Sequence, residues 1–492
     1  MSSLHESEAP APFAEQSGRG AGEGVDPLAS RPLHDRVVRV AGYGMRSAAD
    51  GYLFRPTHVE GIREVFELAR RTGRKVVLRG SGRSYGDANI GRECLVLDIT
   101  RMRRILDWDP DSGLIDCEGG VTIEDLWRYT MEDGYWPPVV SGTMYPTLAG
   151  ALAMNIHGKN NFRVGTMGEH VTELDVLLST GELRTLKPSD GLFHAIISGA
   201  GLLGVITRVR MHLKPVRSGN LSVLAVACDS WDDQFRVFDE HEPTADYLVS
   251  WIDCFGRGQE VGRGQIHAAW YIDGPAASLR PDQQDLPDTI LGLLPKSVVW
   301  RFLKPFNNRS GMRFINWAKH SAGKALGNHK THPQSLVAFS FLLDYVPNWR
   351  NAYLPGGFIQ YQSFVPKENA KRVFTEQIEM QQAEKLESFL GVFKRHRPDP
   401  FLLSHAVDGY SLALDFKATD RNWPRLQALC HRMNDLVLSA GGRFYLAKDS
   451  TLRPSDVEAY LGPALPRFLS LKSELDPDQL LTSDLARRLQ LT

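Results

Sequence analysis

A glycine-rich loop follows a β-branched segment early in the chain. The segment 76–78 (Val-Val-Leu) runs into loop 79–86 (Arg-Gly-Ser-Gly-Arg-Ser-Tyr-Gly). Glycines carry no Cβ, so backbone amides in such a loop can approach a phosphate closely. Related motifs recur at 141–143 (Ser-Gly-Thr), 155–160 (Asn-Ile-His-Gly-Lys-Asn) and 199–204 (Gly-Ala-Gly-Leu-Leu-Gly). Together these motifs predict a phosphate-bearing cofactor held by several loops, and we expect it to be FAD.

The elements on either side of the first loop argue against a Rossmann dinucleotide site. The apolar segment 95–99 (Leu-Val-Leu-Asp-Ile) follows as a second strand, and no helical pattern separates it from the loop. In a Rossmann site the glycines lead directly into the N-terminus of a helix. From segment 79–86 alone, the glycines could equally be ordinary turn residues.

Capping signals predict the helices around these loops. Thr57 and Glu60 have the spacing of a capping box, which predicts a helix that ends near Gly73. Thr122 is expected to cap a second, short helix. The small residues of 147–153 predict a third helix that can pack closely on a cofactor or on another backbone.

The composition is that of a soluble globular protein with two or three domains. The chain has 492 residues, of which 42% are hydrophobic and 23% charged, and its net charge is −1. This charge gives no support for nucleic-acid binding. The five cysteines are scattered and form no C-x-x-C pair, which argues against a disulfide framework or a zinc site and favours a reducing compartment.

Targeting signals are also missing from the sequence. No uninterrupted apolar run approaches the ~20 residues that span a bilayer. Residues 1–30 are rich in Ala, Gly, Ser, Glu and Pro without an apolar core, so we expect a disordered tail and no secretory signal. A cytoplasmic location is the expectation that follows.

Six motifs, in order along the chain, carry a family resemblance. They are 79–87 (RGSGRSYGD), 156–160 (IHGKN), 357–362 (GFIQYQ), 392–394 (VFK), 445–450 (YLAKDS) and 483–488 (SDLARR). From about residue 38 to its end, the chain resembles the flavoprotein oxidases of decaprenylphosphoryl-β-D-ribose 2′-epimerisation, in the vanillyl-alcohol-oxidase superfamily.

The resemblance implies an α+β fold with a two-part FAD-binding domain and an inserted antiparallel-sheet substrate domain. We expect the disordered tail at 1–30 and the first FAD-binding part at 31–215. The substrate-binding domain is expected at 216–439 and the second FAD-binding part at 440–492. The strand pattern of 204–213 ends at Pro215, which supports the first boundary.

The implied activity is FAD-dependent oxidation of the 2′-hydroxyl of a polyprenyl-phosphoryl-β-D-ribose. The product is a 2′-keto sugar, which a separate short-chain dehydrogenase/reductase reduces to the arabinose donor for cell-wall arabinan. Many superfamily members attach the flavin through a histidine in the first glycine loop. Residues 82–85 (Gly-Arg-Ser-Tyr) contain none, so non-covalent FAD is expected. Alternatives are a soluble polyol or aldonolactone oxidase and a non-catalytic flavin-binding or partner-binding subunit.

The resemblance also assigns roles to residues. Lys448, His157 and Tyr85 are the expected catalytic residues. Lys448 would stabilise negative charge on the reduced flavin and hold the reacting hydroxyl. The expected substrate-binding residues are Lys159, Trp251, Gln360, Gln362, Lys394 and Ser411. The expected cofactor-binding residues are Arg79, Gly80, Ser81, Gly82, Arg83, Ser84, Gly142, Thr143, Thr147, Ala153, Ile156, Gly158, Asn160, Gly204, Ile206 and Tyr445.

Plainer interpretations of these residues remain open from sequence alone. Lys448 could be a surface lysine paired with Asp449, and His157 a turn histidine bonded to backbone. A metal role for His157 is disfavoured, because no second ligand has suitable spacing. In 411–416 (Ser-Leu-Ala-Leu-Asp-Phe) the chain departs from the family pattern, since Ala413 replaces a cysteine and Ser411 an asparagine. Ser340 falls where a pocket tyrosine is usual.

A basic and aromatic segment lies inside the substrate domain. Residues 289–343 contain no Asp or Glu but contain eight Lys or Arg and five Phe or Trp between 296 and 330. Cationic and aromatic side chains together favour an anionic membrane surface. We expect this basic-aromatic segment to dock the enzyme at the inner face of the cell membrane. The plainer interpretation is an ordinary basic helix over the sheet.

Overall fold

A computed structural model describes residues 33–290 and 294–492. The tail expected at 1–30 lies outside these ranges. Within them, no helix is long and apolar enough to cross a membrane.

The described residues form 21 strands. In chain order these are Val37–Ala41 (β1), Ala48–Phe54 (β2), Val76–Arg79 (β3), Leu95–Asp98 (β4), Ile105–Asp109 (β5), Leu114–Glu118 (β6), Tyr135–Trp136 (β7), Val171–Leu177 (β8), Leu183–Leu186 (β9), Val205–His212 (β10), Lys214–Pro215 (β11), Asn220–Cys228 (β12), Tyr247–Ile252 (β13), Gly264–Tyr271 (β14), Thr289–Ile290 (β15), Leu294–Pro295 (β16), Lys330–Ser335 (β17), Phe358–Pro366 (β18), Leu390–His396 (β19), Gly409–Lys417 (β20) and Arg443–Phe444 (β21).

The α-helices of the same ranges number 14. They are Val59–Thr72 (α1), Ile123–Thr130 (α2), Leu148–Ala153 (α3), Asn161–Val164 (α4), Phe193–Ile196 (α5), Trp231–His241 (α6), Val299–Leu303 (α7), Arg309–Ala322 (α8), Leu336–Ser340 (α9), Lys367–Glu384 (α10), Trp423–Ser439 (α11), Pro454–Leu461 (α12), Ala464–Leu475 (α13) and Asp484–Leu489 (α14).

A four-stranded sheet in the order β1-β2-β4-β3 carries the glycine-rich loop. Strand β3 leads through the loop to β4, and the two strands pair in parallel. The loop contains no helix, as the sequence predicts. The C-terminal part of the chain joins this sheet, because the Val76 amide donates to the Leu480 carbonyl at 2.8 Å.

The helix caps agree with the sequence at most positions. Gly73 ends α1 in the left-handed conformation, with a φ of 62°. Thr122 caps α2 in a full capping box with Asp125. The prediction that Thr57 caps α1 is wrong by one residue: the cap is His58, whose Nδ1 accepts a hydrogen bond from the Gly61 amide at 3.0 Å.

Two further large sheets lie in the described residues, together with the two-stranded sheets β7-β11 and β15-β16. A five-stranded antiparallel sheet in the order β5-β6-β10-β8-β9 packs with α3. An eight-stranded antiparallel sheet has the order β17-β12-β14-β13-β19-β20-β18-β21. The central strands β13, β18 and β20 are buried along almost their whole length. Polar side chains on them therefore face either the core or an internal cavity. This combination of helices with mainly antiparallel sheets confirms the expected α+β class.

The described residues of the basic-aromatic segment form the short strands β15 and β16, the helices α7, α8 and α9, and the edge strand β17. Helix α8 begins at a cap in which Asn308 Oδ1 accepts from the Gly311 amide at 3.1 Å. Asn316 and His320 form its buried side, while Phe314 and Trp317 are exposed. The segment is thus a helical cover beside the sheet, with exposed aromatic and basic side chains on its outer surface.

Candidate functional site

A cavity of about 540 Å³ lies between the glycine-rich loop, α3 and the eight-stranded sheet. Its lining contains six cationic residues and, among the described residues, no Asp or Glu. Arg79 and Arg83 belong to the glycine-rich loop; Lys394 lies on β19, Lys319 on α8, Lys159 in the turn before α4 and Lys448 in the loop after β21. A cavity with this charge suits anionic ligands.

The glycine-rich loop is packed so closely that side chains would not fit. A Cβ on Gly80 would lie 2.2 Å from Thr147 Oγ1, the atom that caps α3. Gly82 has a φ of 68°, and a Cβ there would meet the Arg79 guanidinium. Arg79 donates to Asn89 Oδ1 at 2.5 Å, and this hydrogen bond anchors the start of the loop. The loop backbone can therefore come close to a ligand in the cavity.

We expect Gly80→Val to lower the FAD content of the purified protein at least about tenfold. The new side chain overlaps the Thr147 cap and displaces loop 79–86 from the cavity wall. The ratio of flavin to protein absorbance measures this effect. Gly327→Val is the matched control, because a Cβ on Gly327 meets nothing within 4 Å. Equal FAD content in both variants would contradict the expected role of the loop.

The expected cofactor-binding residues mostly line this cavity. Fourteen of the sixteen do so: Arg79, Gly80, Ser81, Gly82, Arg83, Ser84, Gly142, Thr143, Thr147, Ala153, Ile156, Gly204, Ile206 and Tyr445. Gly158 and Asn160 are outside the lining. Asn160 Nδ2 donates to the Pro138 carbonyl at 2.8 Å, and a Cβ on Gly158 would meet Asn160 Oδ1. These two residues support the turn that carries His157, and their expected contact with the cofactor stays a prediction.

Lys448 projects into the cavity over the ring of Tyr85. Its Nζ is 3.6 Å from the ring centroid, and the Tyr85 amide donates to the Ala447 carbonyl at 2.8 Å. Tyr85 is almost fully buried and packs edge-on to Phe358. Lys448 makes no ion pair with Asp449, so its interpretation as a surface lysine paired with that residue is wrong.

Asp449 instead belongs to a buried ion cluster around Arg488. Arg488 Nη2 donates to Asp449 Oδ2 and to Asp87 Oδ1, both at 2.8 Å, and its Nε donates to Asp87 Oδ2 at 2.9 Å. Asp87 follows the glycine-rich loop, and Asp449 follows Lys448. Helix α14 therefore ties together the two loops that carry Tyr85 and Lys448. Sequence analysis noted the motif 483–488 but not this role of Arg488.

The electrostatic partner of Lys448 is Asp415 on β20. Burial lowers the pKa of the Lys448 ammonium, Asp415 opposes this effect, and nearby Lys394 adds to it. Burial likewise raises the pKa of the Asp415 carboxyl, while Gln360 and Lys448 oppose the rise. A lysine in this setting reaches its neutral form at a lower pH than a surface lysine does.

The two glutamines share one face of β18 and both line the cavity, as predicted. Gln360 Nε2 donates to Asp415 Oδ1 at 2.6 Å. Gln362 Nε2 donates to Ser411 Oγ at 3.3 Å and approaches His157 Nε2 at 3.1 Å. Because the amide nitrogens of Gln360 and Gln362 contact these partners, their amide oxygens are available to accept hydrogen bonds from a ligand in the cavity.

His157 and Ser411 belong to a buried hydrogen-bond chain. Asn161 Oδ1 accepts from the Arg397 amide and lies 3.0 Å from His396 Nδ1, so that ring nitrogen carries the proton. His396 Nε2 then accepts from the Ser411 hydroxyl at 2.8 Å. Ser411 in turn accepts from Gln362, which orients the glutamine.

Two expectations change as a result. His157 lines the cavity and uses its ring on a side chain, so the interpretation as a turn histidine bonded to backbone is wrong. Burial and nearby Lys394 hold its pKa well below the usual range, which keeps the imidazole neutral. Ser411 is fully buried outside the lining, and its hydrogen bond with Gln362 links it to the cavity, so we expect it to act on a ligand through Gln362.

Lys159, Lys394 and Trp251 are where the sequence places them, in the cavity wall. Lys159 donates to the Phe339 carbonyl, and burial with nearby Lys394 lowers its pKa to about 7. Burial lowers the pKa of Lys394 to about 8. Sequence analysis did not single out Lys319, whose Nζ lies 4.1 Å from the Trp251 ring centroid. It also missed His267, which lines the same wall.

The segment after α9 closes one side of the cavity. Asp344 accepts from Thr143 Oγ1 and from the Met144 amide, both at 2.8 Å. The Leu343 amide donates to the Gly142 carbonyl at 3.0 Å. Ser340, Leu342 and Leu343 line the cavity next to this contact.

The site fits FAD and not a metal. Arg83 Nε is buried without a hydrogen-bond partner at the loop end of the cavity, where a phosphate could supply one. The close-packed glycines leave room for a cofactor against the loop backbone. No group of three or more His, Cys, Asp or Glu residues in the described ranges could hold a metal ion.

Comparisons with known proteins agree with this geometry. Residues 51–187 match the model of an FAD binding domain. The decaprenylphosphoryl-β-D-ribose oxidase of Mycolicibacterium smegmatis is 30% identical over 442 residues, which cover 87% of this chain and 92% of the relative. A putative D-arabinono-1,4-lactone oxidase of Neurospora crassa is 22% identical over 88% of this chain and 82% of the relative. A D-lactate dehydrogenase of Archaeoglobus fulgidus is 28% identical over 38% of this chain and 44% of the relative. FAD is therefore confirmed as the cofactor.

Proposed function

This chain belongs to the family of FAD-dependent decaprenylphosphoryl-β-D-ribose oxidases, and we propose that it oxidises the 2′-hydroxyl of a polyprenyl-phosphoryl-β-D-ribose. The product is the 2′-keto sugar. The observation that carries this proposal is that one cavity is lined by the glycine-rich loop, by Lys448 next to Tyr85 of that loop, and by Gln360 and Gln362 of β18. The other cations of the cavity and the absence of acids in its described lining suit a substrate with a phosphate group.

When bound, FAD supplies the hydride acceptor that alcohol oxidation requires. The chain supplies the proton chemistry and the orientation. Neutral Lys448 accepts the proton of the reacting hydroxyl, and its lowered pKa makes this form available near neutral pH. The ring of Tyr85 packs against the Lys448 amine and holds it in position. His157 stays neutral and holds Gln362 in place.

The two glutamine oxygens bind the sugar hydroxyls. Asp415 fixes Gln360, and Ser411 with His157 fixes Gln362, so both amide oxygens are preorganised acceptors. Gln360 and Gln362 are two residues apart on one strand face, about 7 Å. Two amide acceptors on neighbouring positions of one strand face can contact different hydroxyl groups of one sugar.

Product analysis tests the position of oxidation. We expect turnover of farnesyl-phosphoryl-β-D-ribose, followed by borodeuteride reduction, to place deuterium at C2′ of both the ribose and arabinose epimers. Deuterium at another carbon would contradict the assignment of the 2′-hydroxyl. Turnover of an aldonolactone or free polyol, with none of the phosphoryl ribose, would favour a soluble oxidase.

The FAD is proposed to be held without a covalent bond. Loop 79–86 contains no histidine, and Tyr85 of this loop is packed against Phe358 and Lys448. Acid precipitation of the purified protein should leave the yellow flavin in the supernatant. Flavin that remains in the protein pellet would contradict non-covalent binding.

The proposed division of the chain follows from the sheets. The first FAD-binding part covers 31–215, the substrate domain 216–439 and the second FAD-binding part 440–492. The hydrogen bonds of Val76 with the Leu480 carbonyl and the Thr482 amide support the pairing of the first and last parts.

A partner enzyme completes the proposed epimerisation. The 2′-keto product must be reduced at the same carbon, which is the chemistry of a short-chain dehydrogenase/reductase. The resulting arabinose donor serves synthesis of cell-wall arabinan.

We place the enzyme as a peripheral protein at the inner face of the cell membrane, docked through the basic-aromatic segment. The exposed residues of this segment include Phe302, Phe306, Phe314, Trp317 and Leu326. Some of its cations are already paired: Arg309 with Glu387 at 2.5 Å and Lys324 with Asp229 at 2.6 Å. Docking therefore depends mainly on the exposed aromatics, with Arg301 and Lys304 nearby.

Vesicle co-sedimentation tests this docking. We expect the double variant Phe314→Ser, Trp317→Ser to bind anionic vesicles about tenfold or more weakly than the native chain, because two exposed rings no longer enter the interface. The double variant Leu106→Ser, Tyr129→Ser removes comparable exposed side chains outside the segment and is the matched control. Equal binding of both variants, or no binding by the native chain, would overturn the docking proposal.

A further inference from the structure

Three basic residues lie near one another in the lining of the cavity. Lys159 follows His157 in the turn before α4, His267 lies on β14, and Lys319 reaches in from α8. Strand β13 connects two of them. Its residue Val249 pairs with His267 across the sheet, and the ring of Trp251, on the same strand, lies 4.1 Å from Lys319 Nζ. The pKa of the His267 imidazole is lowered to about 4. Burial is the main cause, and the nearby ammonium groups of Lys159 and Lys319 add to it.

This cluster has no acid to balance its charge. Lys159, Lys319 and Lys394 make no ion pair with any residue in 33–290 or 294–492, and no carboxylate acts on the pKa of any of them, whereas Asp415 opposes the lowering of the Lys448 pKa. The polar partner of Lys159 is the neutral carbonyl of Phe339, and its remaining stabilisation comes from the Phe339 ring, 4.2 Å away. Lys159 and Lys394 are half-buried, and half-buried cations without a counterion are costly unless a ligand supplies the negative charge.

The cluster also lies at the boundary between the cavity and solvent. Lys319 is exposed although it lines the cavity, while Trp251 beneath it is buried. The same helix carries the exposed rings of Phe314 and Trp317, and Leu342 at the cavity edge is also exposed. A ligand with a polar head inside the cavity and an apolar tail outside would have its junction beside Lys319.

We propose that Lys159, Lys319 and His267 form the subsite for the phosphate diester of the substrate. This proposal rests on the function proposed above and adds the position of the charge. The two ammonium groups contact the non-bridging oxygens, and neutral His267 donates one further hydrogen bond. The sugar then extends inward to Gln360 and Gln362, and the polyprenyl chain extends outward along α8.

A charge comparison on the FAD-loaded full chain tests this subsite without requiring turnover. The probe is farnesyl-phosphoryl-2′-deoxy-β-D-ribose, which has no 2′-hydroxyl to oxidise, and its partner is the neutral methyl phosphotriester of the same compound. Calorimetry gives the Kd of each compound for the native chain, Lys319→Gln, Lys319→Arg and the exposed control Lys371→Gln. Inorganic phosphate is a third ligand, which shows whether the anion alone is sufficient.

We expect Lys319→Gln to weaken binding of the charged diester about 10- to 100-fold and that of the triester less than about twofold. Lys319→Arg should recover most of the lost affinity, and Lys371→Gln should match the native chain. Equal losses for diester and triester, or no loss in Lys319→Gln, would overturn the subsite. Tight binding of inorganic phosphate alone, with no gain from the lipid and sugar, would also overturn it as a substrate subsite.

The outcome separates this proposal from the proposed function. A native chain that oxidises the phosphoryl ribose but shows no charge dependence at Lys319 keeps its function and loses the subsite. A chain that shows the charge dependence but oxidises no phosphoryl ribose keeps the subsite and loses the proposed reaction.

Discussion

Replacing Lys448 by methionine is expected to lower kcat about 1,000-fold while FAD remains bound. Methionine keeps the length and apolar packing of the side chain over Tyr85 but removes the group that accepts the hydroxyl proton. Positioned general bases contribute typically 10²–10⁴-fold, and loss of the local positive charge adds to the effect. Steady-state kinetics with farnesyl-phosphoryl-β-D-ribose, with flavin absorbance to count active sites, provides the measurement.

A second variant separates proton transfer from charge. Lys448→Arg keeps a positive charge, but a guanidinium does not lose its proton near neutral pH. We expect its kcat to stay at least about 100-fold below that of the native chain. Recovery to near-native kcat in Lys448→Arg would show that charge alone is required. A kcat within a few-fold of native in Lys448→Met would exclude Lys448 from catalysis.

Arg488→Met is expected to cost about 3–5 kcal/mol in the free energy of unfolding. The substitution leaves the carboxylates of Asp87 and Asp449 buried without their cation, and breaking a buried ion pair in this way is strongly destabilising. It also removes the hydrogen bond from Arg488 Nη1 to the Leu452 carbonyl. Urea denaturation of the FAD-loaded protein measures the change.

Arg487→Met is the matched control for this prediction. Arg487 is the neighbouring residue of α14 and pairs with Asp484 at 3.2 Å, but both side chains are more exposed. Exposed pairs contribute about 0–1 kcal/mol, so the control should unfold close to the native midpoint. Similar losses in the two variants would mean that the cluster around Arg488 does not hold the two catalytic loops together.

Local features of the fold were predictable from the sequence because they depend on neighbouring residues. The capping box of Thr122 and the left-handed Gly73 are examples, as is the strand that follows the glycine-rich loop without a helix. The cap of α1 was predicted one residue early. Thr57 has the preferred residue type and spacing, but the imidazole of His58 makes the bond to the Gly61 amide instead.

Long-range contacts of the site could not be predicted in this way. The pairing of Lys394 with Ser411 across β19 and β20 depends on strand register, and so does the burial of Ser411 behind Gln362. Arg488 reaches Asp87 across 401 positions of the chain. The family motifs marked the segments that contain these residues, but not which side chains contact one another.

His396 is the clearest example of a site residue whose contacts could not be predicted from the sequence. In the sequence it stands between Arg395 and Arg397, and the sequence analysis assigned it no role. In the structure it is fully buried on β19 and connects Asn161 to Ser411. No local pattern distinguishes such a histidine from an exposed one.

Anaerobic mixing of the FAD-loaded protein with farnesyl-phosphoryl-β-D-ribose tests the central claim most directly. Without oxygen, each substrate oxidation leaves its electrons on the protein-bound cofactor, so loss of the flavin absorption band reports the reaction in a single turnover. We predict rapid bleaching with this substrate and none with free ribose, xylitol or the 2′-deoxy analogue. A flavin band that persists with the phosphoryl ribose, or that bleaches equally with free ribose or xylitol, would contradict the proposed function.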